Sequence, residues 1–324
     1  MEAPTIADKT WFVDVEYKGL PHLIACGVLE TDAGLLLVDP GPTVSLATLE
    51  QKLEAQGTGF ADVHGLLLTH IHLDHAGATG VIVENYPHVQ VYVHQIGARH
   101  MIRPERLLAS AHRIYGDQMD TLWGTFLPTP EANVHVLEGG ETLAIGGRTF
   151  EVAYTPGHAR HHVCYLDHAT GTAFVGDTAG MRVAGVRYVV PVTPPPDIHV
   201  EQWHESLAVL RAWQPTRLFA THFGPSNDAA WHLDQMAQRL DDWAEQVRLS
   251  LLDDREDSER AGAFQKEEFA ALRAELSGPD RASYEQMGQP ESSWYGLARY
   301  WRKRWERERG GEREKGRKGE GERG

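Results

Sequence analysis

"LLLTHIHLDHAGATG", Leu66 to Gly80, decides how this chain is to be read. An apolar run of strand character ends in His70, His72, Asp74 and His75, four side chains that can hold a metal, within six positions. A core strand has no use for so many hydrophilic groups at its tip, because every buried polar group must find a partner. A cation can partner several of them at once. His70 and His72, two apart on an extended turn, point to the same side and can chelate one ion. Asp74 and His75 fall where the next helix starts, offset enough to serve a second.

Outward from this stretch the pattern repeats. "WFVDVEY" from Trp11, "HLIACGVLET" from His22 and "GLLLVDPG" from Gly34 read as strands, the last ending in the breaker Asp39-Pro40-Gly41. "SLATLEQKLEAQ" has helical spacing with Ser45 at the N-cap, and a helix is expected from His75 towards Tyr86, before the strand "VQVYVH". The segment from 95 to 130 looks irregular, either a lid over a site or an elaborated connection. Hairpin turns are expected at Gly139-Gly140, Gly146-Gly147 and Thr170-Gly171. A helix from about His199 to Trp213 and a strand "TRLFATHFG" follow. This alternation predicts a layered α/β domain with helices covering sheets.

Four further metal-capable residues stand at strand ends: Asp39 after "LLLV", His158 after "EVAYTPG", Asp177 after "AFVG" and His222 after "LFAT". In a layered α/β fold such ends converge on one edge. His158 can complete a set with His70 and His72, His222 one with Asp74 and His75, and the two oxygens of Asp177 suit it to bridge two ions. Three or four protein donors per ion leave an open position, the mark of a catalytic site. The expectation is therefore two divalent metal ions.

"THIHLDHAG", followed in order by "TPGH", "GDT" and "THFG", resembles the H-x-H-x-D-H signature and later motifs of the metallo-β-lactamase superfamily. "LLLVDPG" resembles its first motif. The resemblance covers about Trp11 to Gly224. It implies a four-layered αβ/βα sandwich with the metal site between the sheets, and His70, His72, Asp74, His75, His158, Asp177 and His222 as ligands. Asp39 would then lie just behind the ligands, and Asp74 would also handle protons as the catalytic acid–base. The all-nitrogen and oxygen donor set suits Zn2+ and is compatible with Mn2+ or Fe2+. The implied chemistry is hydrolysis, in which a metal-bridging hydroxide attacks a small ester, thioester or lactone. "TPGH" and "GDT" with a helical C-terminal extension most resemble hydroxyacylglutathione hydrolases and kindred lactonases. "GDTAGMRVAGVRYVVPVTPPP" departs from the apolar-aromatic pair that follows the bridging acid in those thioesterases. Alternatives on the same fold are a mononuclear iron persulfide dioxygenase, a β-lactam or phosphodiester hydrolase, and a metal-holding scaffold.

Composition narrows the field. A net charge of −15 over 324 residues argues against a nucleic-acid partner, and 41% hydrophobic residues suffice for a full core. The start lacks the basic and apolar regions of a signal peptide, and no apolar run is long enough for a membrane span, so a cytoplasmic location is expected. Cys26 and Cys164 read as buried reduced thiols. The expected divisions are a catalytic domain at 1–226, a helical region at 227–308 and a disordered charged tail at 309–324. Trp231, Trp243, Trp294, Trp301 and Trp305 give the helical region enough indole to pack on the main domain and to offer a homodimer contact.

The substrate is expected to be a small molecule. Arg187, Tyr188 and Phe223, near Asp177 or His222 in sequence, are the candidate substrate-binding residues, with Arg182 and Trp123 further possibilities. For Arg187 the competing reading is a surface arginine paired with a nearby acid. His161 and His162 are expected to be ordinary strand residues, or one of them to orient a ligand. His94, His100 and His112 are expected to take no part in catalysis.

Overall fold

Strands that are apolar at every position need a cover on both faces. In the run Gly34–Val38, Leu35 and Leu37 enter one apolar cluster and Leu36 and Val38 another. The period-two alternation of a strand sends these pairs to opposite faces. The same sorting separates Leu66 from Leu67, and Val163 and Tyr165 from Cys164 and Leu166.

A computed structural model describes residues 3–321 apart from 184, 185 and 288. Among the described residues one sheet contains, in spatial order, β1 (Thr5–Ala7), β2 (Thr10–Asp14), β3 (Ala25–Thr31), β4 (Gly34–Val38), β5 (Val63–Leu67), β6 (Gln90–His94) and β7 (Val134–Leu137). The other runs β13 (Gly224–Ser226), β12 (Arg217–Ala220), β11 (Thr172–Phe174), β10 (Val163–Asp167), β9 (Arg148–Tyr154) and β8 (Thr142–Ile145). Phe12, Leu36, Phe150, Tyr165, Phe174 and Phe219 fill the space between the sheets. Outside the first sheet lie α1 (Leu46–Glu54), α2 (Leu73–Ala76), α3 (Thr79–Asn85), α4 (Gln95–Ile102), α5 (Glu105–Tyr115) and α6 (Met119–Leu122). Against the second pack α7 (Val200–Ala212), α8 (Ala229–Ser250), α9 (Asp257–Glu275), α10 (Gly278–Met287) and α11 (Pro290–Gly321). This is the four-layered α/β/β/α sandwich with C-terminal helices.

Several expectations need correction. Residues 95–130 form α4 to α6 rather than an irregular loop, because Leu107, Ala111, Met119 and Trp123 close a small apolar cluster on Leu73. The helix expected from His75 to Tyr86 is broken at Gly77-Ala78 into α2 and α3. Ser45 stands at the N-terminus of α1, but its side chain makes no capping bond. Gly139-Gly140 is no hairpin turn, since β7 and β8 belong to different sheets. Gly139 has φ 94°, and a Cβ there would lie 2.5 Å from the backbone nitrogen of Tyr154. The other two hairpins form between β8 and β9 and between β10 and β11.

After Asn227 the helices share one apolar cluster with the second sheet, in which Trp203, Trp243 and Trp294 are all fully buried. α11 runs on into the charged stretch as far as Gly321. Cys26 and Cys164 are both buried and free, on different faces of different sheets. Among the described residues no helix is long and apolar enough to cross a membrane.

One buried ion pair ties the sandwich together far from its functional edge. Arg148 donates to Asp167 (2.6 Å) and to the carbonyls of Glu30 (2.9 Å) and Lys9 (2.7 Å), linking the second sheet to the first. An Arg148→Met variant strands the buried Asp167 charge, so unfolding stability should drop by about 3–5 kcal/mol. Metal content of the folded variant should not change. Chemical denaturation with elemental analysis checks both; a drop below 1 kcal/mol (roughly the worth of an exposed pair) would place the pair among dispensable surface contacts.

Candidate metal centre

The carboxyl ends of β4, β5, β11 and β12, together with the end of β9, deliver side chains to one edge of the sandwich. Asp39 follows β4 in a left-handed conformation (φ 50°), which turns its carboxylate inward. His70 and His72 sit in the loop after β5, Asp74 and His75 in α2, His158 four residues after β9, Asp177 three after β11 and His222 two after β12. Gly176 is required where it stands. Its φ is 46°, and a Cβ would meet Thr69 Oγ1 at 2.4 Å and His162 Nε2 at 2.7 Å.

Two groups of donors result. His70, His72, His158 and Asp177 offer four ligand atoms, and Asp74, His75 and His222 offer three, each set lying within 4.8 Å. In the first set His70 Nε2 and His158 Nε2 lie 2.9 and 3.0 Å from His72 Nδ1. Asp177 Oδ2 is 3.3 Å from His158 Nε2 and 4.0 Å from His70 Nε2. In the second set His222 Nε2 is 3.4 Å and His75 Nε2 3.9 Å from Asp74 Oδ2. Asp177 Oδ1 is 3.2 Å from His75 Nε2 and 3.6 Å from His222 Nε2, so this carboxylate turns one oxygen to each set. Four donors placed tetrahedrally at 2.0–2.1 Å from an ion are separated by about 3.3 Å. The observed spacings scatter around that edge length.

The surrounding hydrogen bonds settle which ring nitrogens are free. His158 Nδ1 and His222 Nδ1 face the carbonyls of Val192 and Leu23, both at 2.7 Å. A carbonyl only accepts, so each Nδ1 carries hydrogen, and in the neutral ring Nε2 keeps a lone pair. His75 Nδ1 donates to Asp39 Oδ2 (2.8 Å), which also accepts the hydroxyls of Thr69 and Thr221 at 2.7 Å. Asp39 Oδ1 accepts the Thr69 N–H (2.8 Å). Because the Thr69 hydroxyl is spent on Asp39, its oxygen accepts from His70 Nδ1 (3.1 Å), which frees His70 Nε2 in turn. Lone pairs and carboxylate oxygens thus face one another at close range. Among the described residues His75 Nε2, His222 Nε2 and Asp177 Oδ1 are buried without a hydrogen-bond partner. Such an arrangement is repulsive unless a cation lies at its centre, and the donor set fits a pair of divalent ions.

Electrostatics follows the same division. Burial first, and then the neighbouring His75, holds His70 well below the usual imidazole range, and burial with His158 brings His72 down to about 4. For His75 burial also opposes charge, but Asp177, Asp74 and Asp39 outweigh it and raise the ring well above its ordinary value. Asp74 is brought down to about 2, since the attraction of His75 and His222 exceeds the cost of its burial.

A cavity of about 590 Å³ opens on the centre, and His72, Asp74, His158, Asp177 and His222 line it. Trp123 lines it as expected, its ring stacked on Tyr17 (5.8 Å between centroids). Arg187, Tyr188 and Phe223 do not. Arg187 is exposed, pairs with Asp228 (3.2 Å) and covers the Trp231 ring, so the surface reading of it holds. Tyr188 is buried beneath Arg239 and against Tyr284, within the helical layer. Phe223 packs edge-on to Phe12 and against His22, between the sheets. Adjacency in sequence misleads here because neighbouring residues of an extended segment point opposite ways.

His162 orients a carboxylate rather than merely filling a strand: its Nε2 accepts the Asp177 N–H (3.2 Å), and its Nδ1 meets the hydroxyls of Thr155 (2.9 Å) and Thr178 (3.2 Å). His161 and His100 line the cavity, which sequence reading did not anticipate. Nor did it find Tyr17, Arg99, Arg106, Arg113, or the pair Ser292 and Ser293 of α11. One signal was available for the arginines: they recur every seven residues, which returns a helical chain to nearly the same face.

The comparisons with known proteins agree with this geometry. The family model for the metallo-beta-lactamase superfamily matches residues 20–243, and the chain belongs to that superfamily. A metallo-beta-lactamase fold-containing protein of Sulfurisphaera tokodaii is 33% identical over 145 residues, 44% of this chain and 53% of that protein. A hydroxyacylglutathione hydrolase of Maricaulis maris is 28% identical over 199 residues, 60% of this chain and 63% of the relative. The matches therefore span little more than half of these relatives' length. Among solved structures, a metallo-beta-lactamase family protein from Thermus thermophilus has the same fold (TM-score 0.66, 22% identity, 93% of this chain and 95% of that one).

Proposed function

We infer that this chain is a hydrolase that uses two divalent metal ions to open a small ester, thioester or lactone. The observation that supports it most is Asp177, a buried carboxylate whose two oxygens face two separate sets of imidazoles. His70, His72, His158 and Asp177 would hold one ion, and Asp74, His75, His222 and Asp177 the other, with zinc favoured over manganese or iron. When bound, such a pair supplies an acidified water and a positive clamp for developing negative charge.

The protein's own groups do the rest. Asp39 holds His75 in the tautomer that presents Nε2, and backbone carbonyls do the same for His158 and His222. Asp74 is the carboxylate best placed to carry a proton between the centre and the substrate. It lines the cavity and its side chain keeps 19% exposure, against 2% for Asp177. Tyr17, at the wall of the same cavity, has a buried hydroxyl without a partner among the described residues and is available to donate to a substrate oxygen. The relatives called hydroxyacylglutathione hydrolases support a thioester in particular. Two buried free cysteines suit a reducing compartment such as the cytoplasm.

Elemental analysis of the purified protein should find about two metal ions per chain, with turnover on a panel of thioesters, lactones and esters. Dialysis against a chelator should abolish turnover, and zinc or manganese should restore it. About one iron per chain, without hydrolysis and with oxygen uptake on a persulfide, would replace this reading by the dioxygenase one.

A further inference from the structure

In a protein of net charge −15 an arginine has many carboxylates to meet, and elsewhere in this chain several arginines do. Arg211 meets Asp234 (3.1 Å), Arg260 meets Asp253 (3.1 Å) and Arg302 meets Asp257 (2.6 Å). The cavity wall is different. Arg99 of α4 and Arg106 and Arg113 of α5 line it, and among the described residues none of the three makes an ion pair or a side-chain hydrogen bond. Lys18, on the same wall, lies over the Tyr17 ring (5.3 Å) and meets no acid either. The acids on the lining are two metal-facing carboxylates, Asp74 and Asp177, and Asp197, which is taken by Arg160 (3.3 Å). The cavity mouth is therefore cationic on an acidic molecule.

Position along α5 adds a second point. Arg106, Ser110 and Arg113 fall at i, i+4 and i+7, one stripe of the helix, while Leu107, Ala111 and Ile114 form the stripe beside it. Ile114, 54% exposed, stands at the rim of the cavity. A rise of 1.5 Å per residue sets Arg106 and Arg113 about 10 Å apart, too far to share one small anion and suited to an extended one.

We propose that Arg106 and Arg113, with Arg99, form the site for an extended anionic portion of the substrate, bearing carboxylates or phosphates, on the side away from the scissile bond. The apolar stripe of α5 accepts the linker between that portion and the reacting carbonyl. Arginine serves such a role better than lysine because its planar fork matches both anions bidentately. The proposal rests on the hydrolase reading for its kinetic test and on the arginines alone for its binding test.

Three acetyl thioesters with one reacting bond separate the possibilities: those of coenzyme A (phosphates), glutathione (carboxylates) and N-acetylcysteamine (neutral). The wild-type metal-loaded protein should favour at least one anionic thioester over the neutral one in kcat/KM. An R106Q/R113Q variant should lose that preference, falling about tenfold per arginine removed, with turnover of the neutral thioester unchanged. Which anionic thioester leads tells phosphate from carboxylate. Equal rates on all three, or a preference that survives in the variant, overturns the proposal. If no thioester is cleaved while esters or lactones are, the thioester reading fails by itself. Calorimetric titration of free coenzyme A and glutathione then decides the arginine site: binding that is salt-sensitive and lost in the variant supports it, and no binding of either overturns it.

Discussion

An Asp177→Asn variant should retain the fold, hold at most about one metal ion per chain, and turn over its substrate roughly a thousandfold more slowly. Each part follows from the geometry. Asparagine keeps the volume and one oxygen, but it brings no charge and replaces the second oxygen by an NH2 that repels a cation. That group would face either His75 and His222 or His158 and His70, so one set of donors loses its shared oxygen. The other position keeps its shared oxygen, beside either three imidazoles or two imidazoles and Asp74, and can still bind an ion. Elemental analysis, circular dichroism and steady-state kinetics on one preparation check the three statements. Two metal ions with wild-type turnover would show that Asp177 does not join the two sets.

Asp39→Ala is expected to do comparable damage without touching a metal. Asp39 is fully buried, and its removal strands four donors: the Thr69 N–H, the Thr69 and Thr221 hydroxyls, and His75 Nδ1. Leaving charged-group partners buried and unpaired costs about 3–5 kcal/mol, a large share of the stability of a domain this size. His75 also loses the bond that fixes its tautomer, so metal affinity should fall about 10- to 100-fold. Denaturant titration with and without metal reads both effects. Asp39→Asn is the useful control. It retains an oxygen for Thr69 and should recover much of the stability but little of the affinity, because an amide NH2 cannot accept from His75. Equal recovery of both would reduce Asp39 to a packing role.

The cluster of metal-capable side chains was legible in the sequence because its logic is local or at strand ends. "HIHLDH" places four donors by adjacency, and each of the other three follows an apolar run by two to four residues. The strands themselves were legible from doubly apolar runs such as "GLLLV", which only a covered sheet tolerates. What composition obscured was the wall of the cavity. The helices between 95 and 123 carry their apolar contacts on short stretches such as Leu107 and Ala111, too weak a stripe to stand out among arginines. Arg187, Tyr188 and Phe223 were sought near Asp177 and His222 in sequence, whereas the cavity is completed by residues far away in the chain. Ser293 bonds Thr193 across 100 residues, and Tyr17 reaches the wall from the N-terminal side.

That separation has a consequence for descent. The stretch between Asp39 and His222 carries the donors, while much of what a ligand meets first comes from α4, α5 and the start of α11. Reaction is thus written at the strand ends, and recognition in the helices set between them and in the chain beyond His222. An ancestor could exchange or extend the outer helices and acquire a new diet while its chemistry stood still. Relatives that share the donors need not share a meal, and a match that ends before α11 leaves part of the cavity wall uncompared.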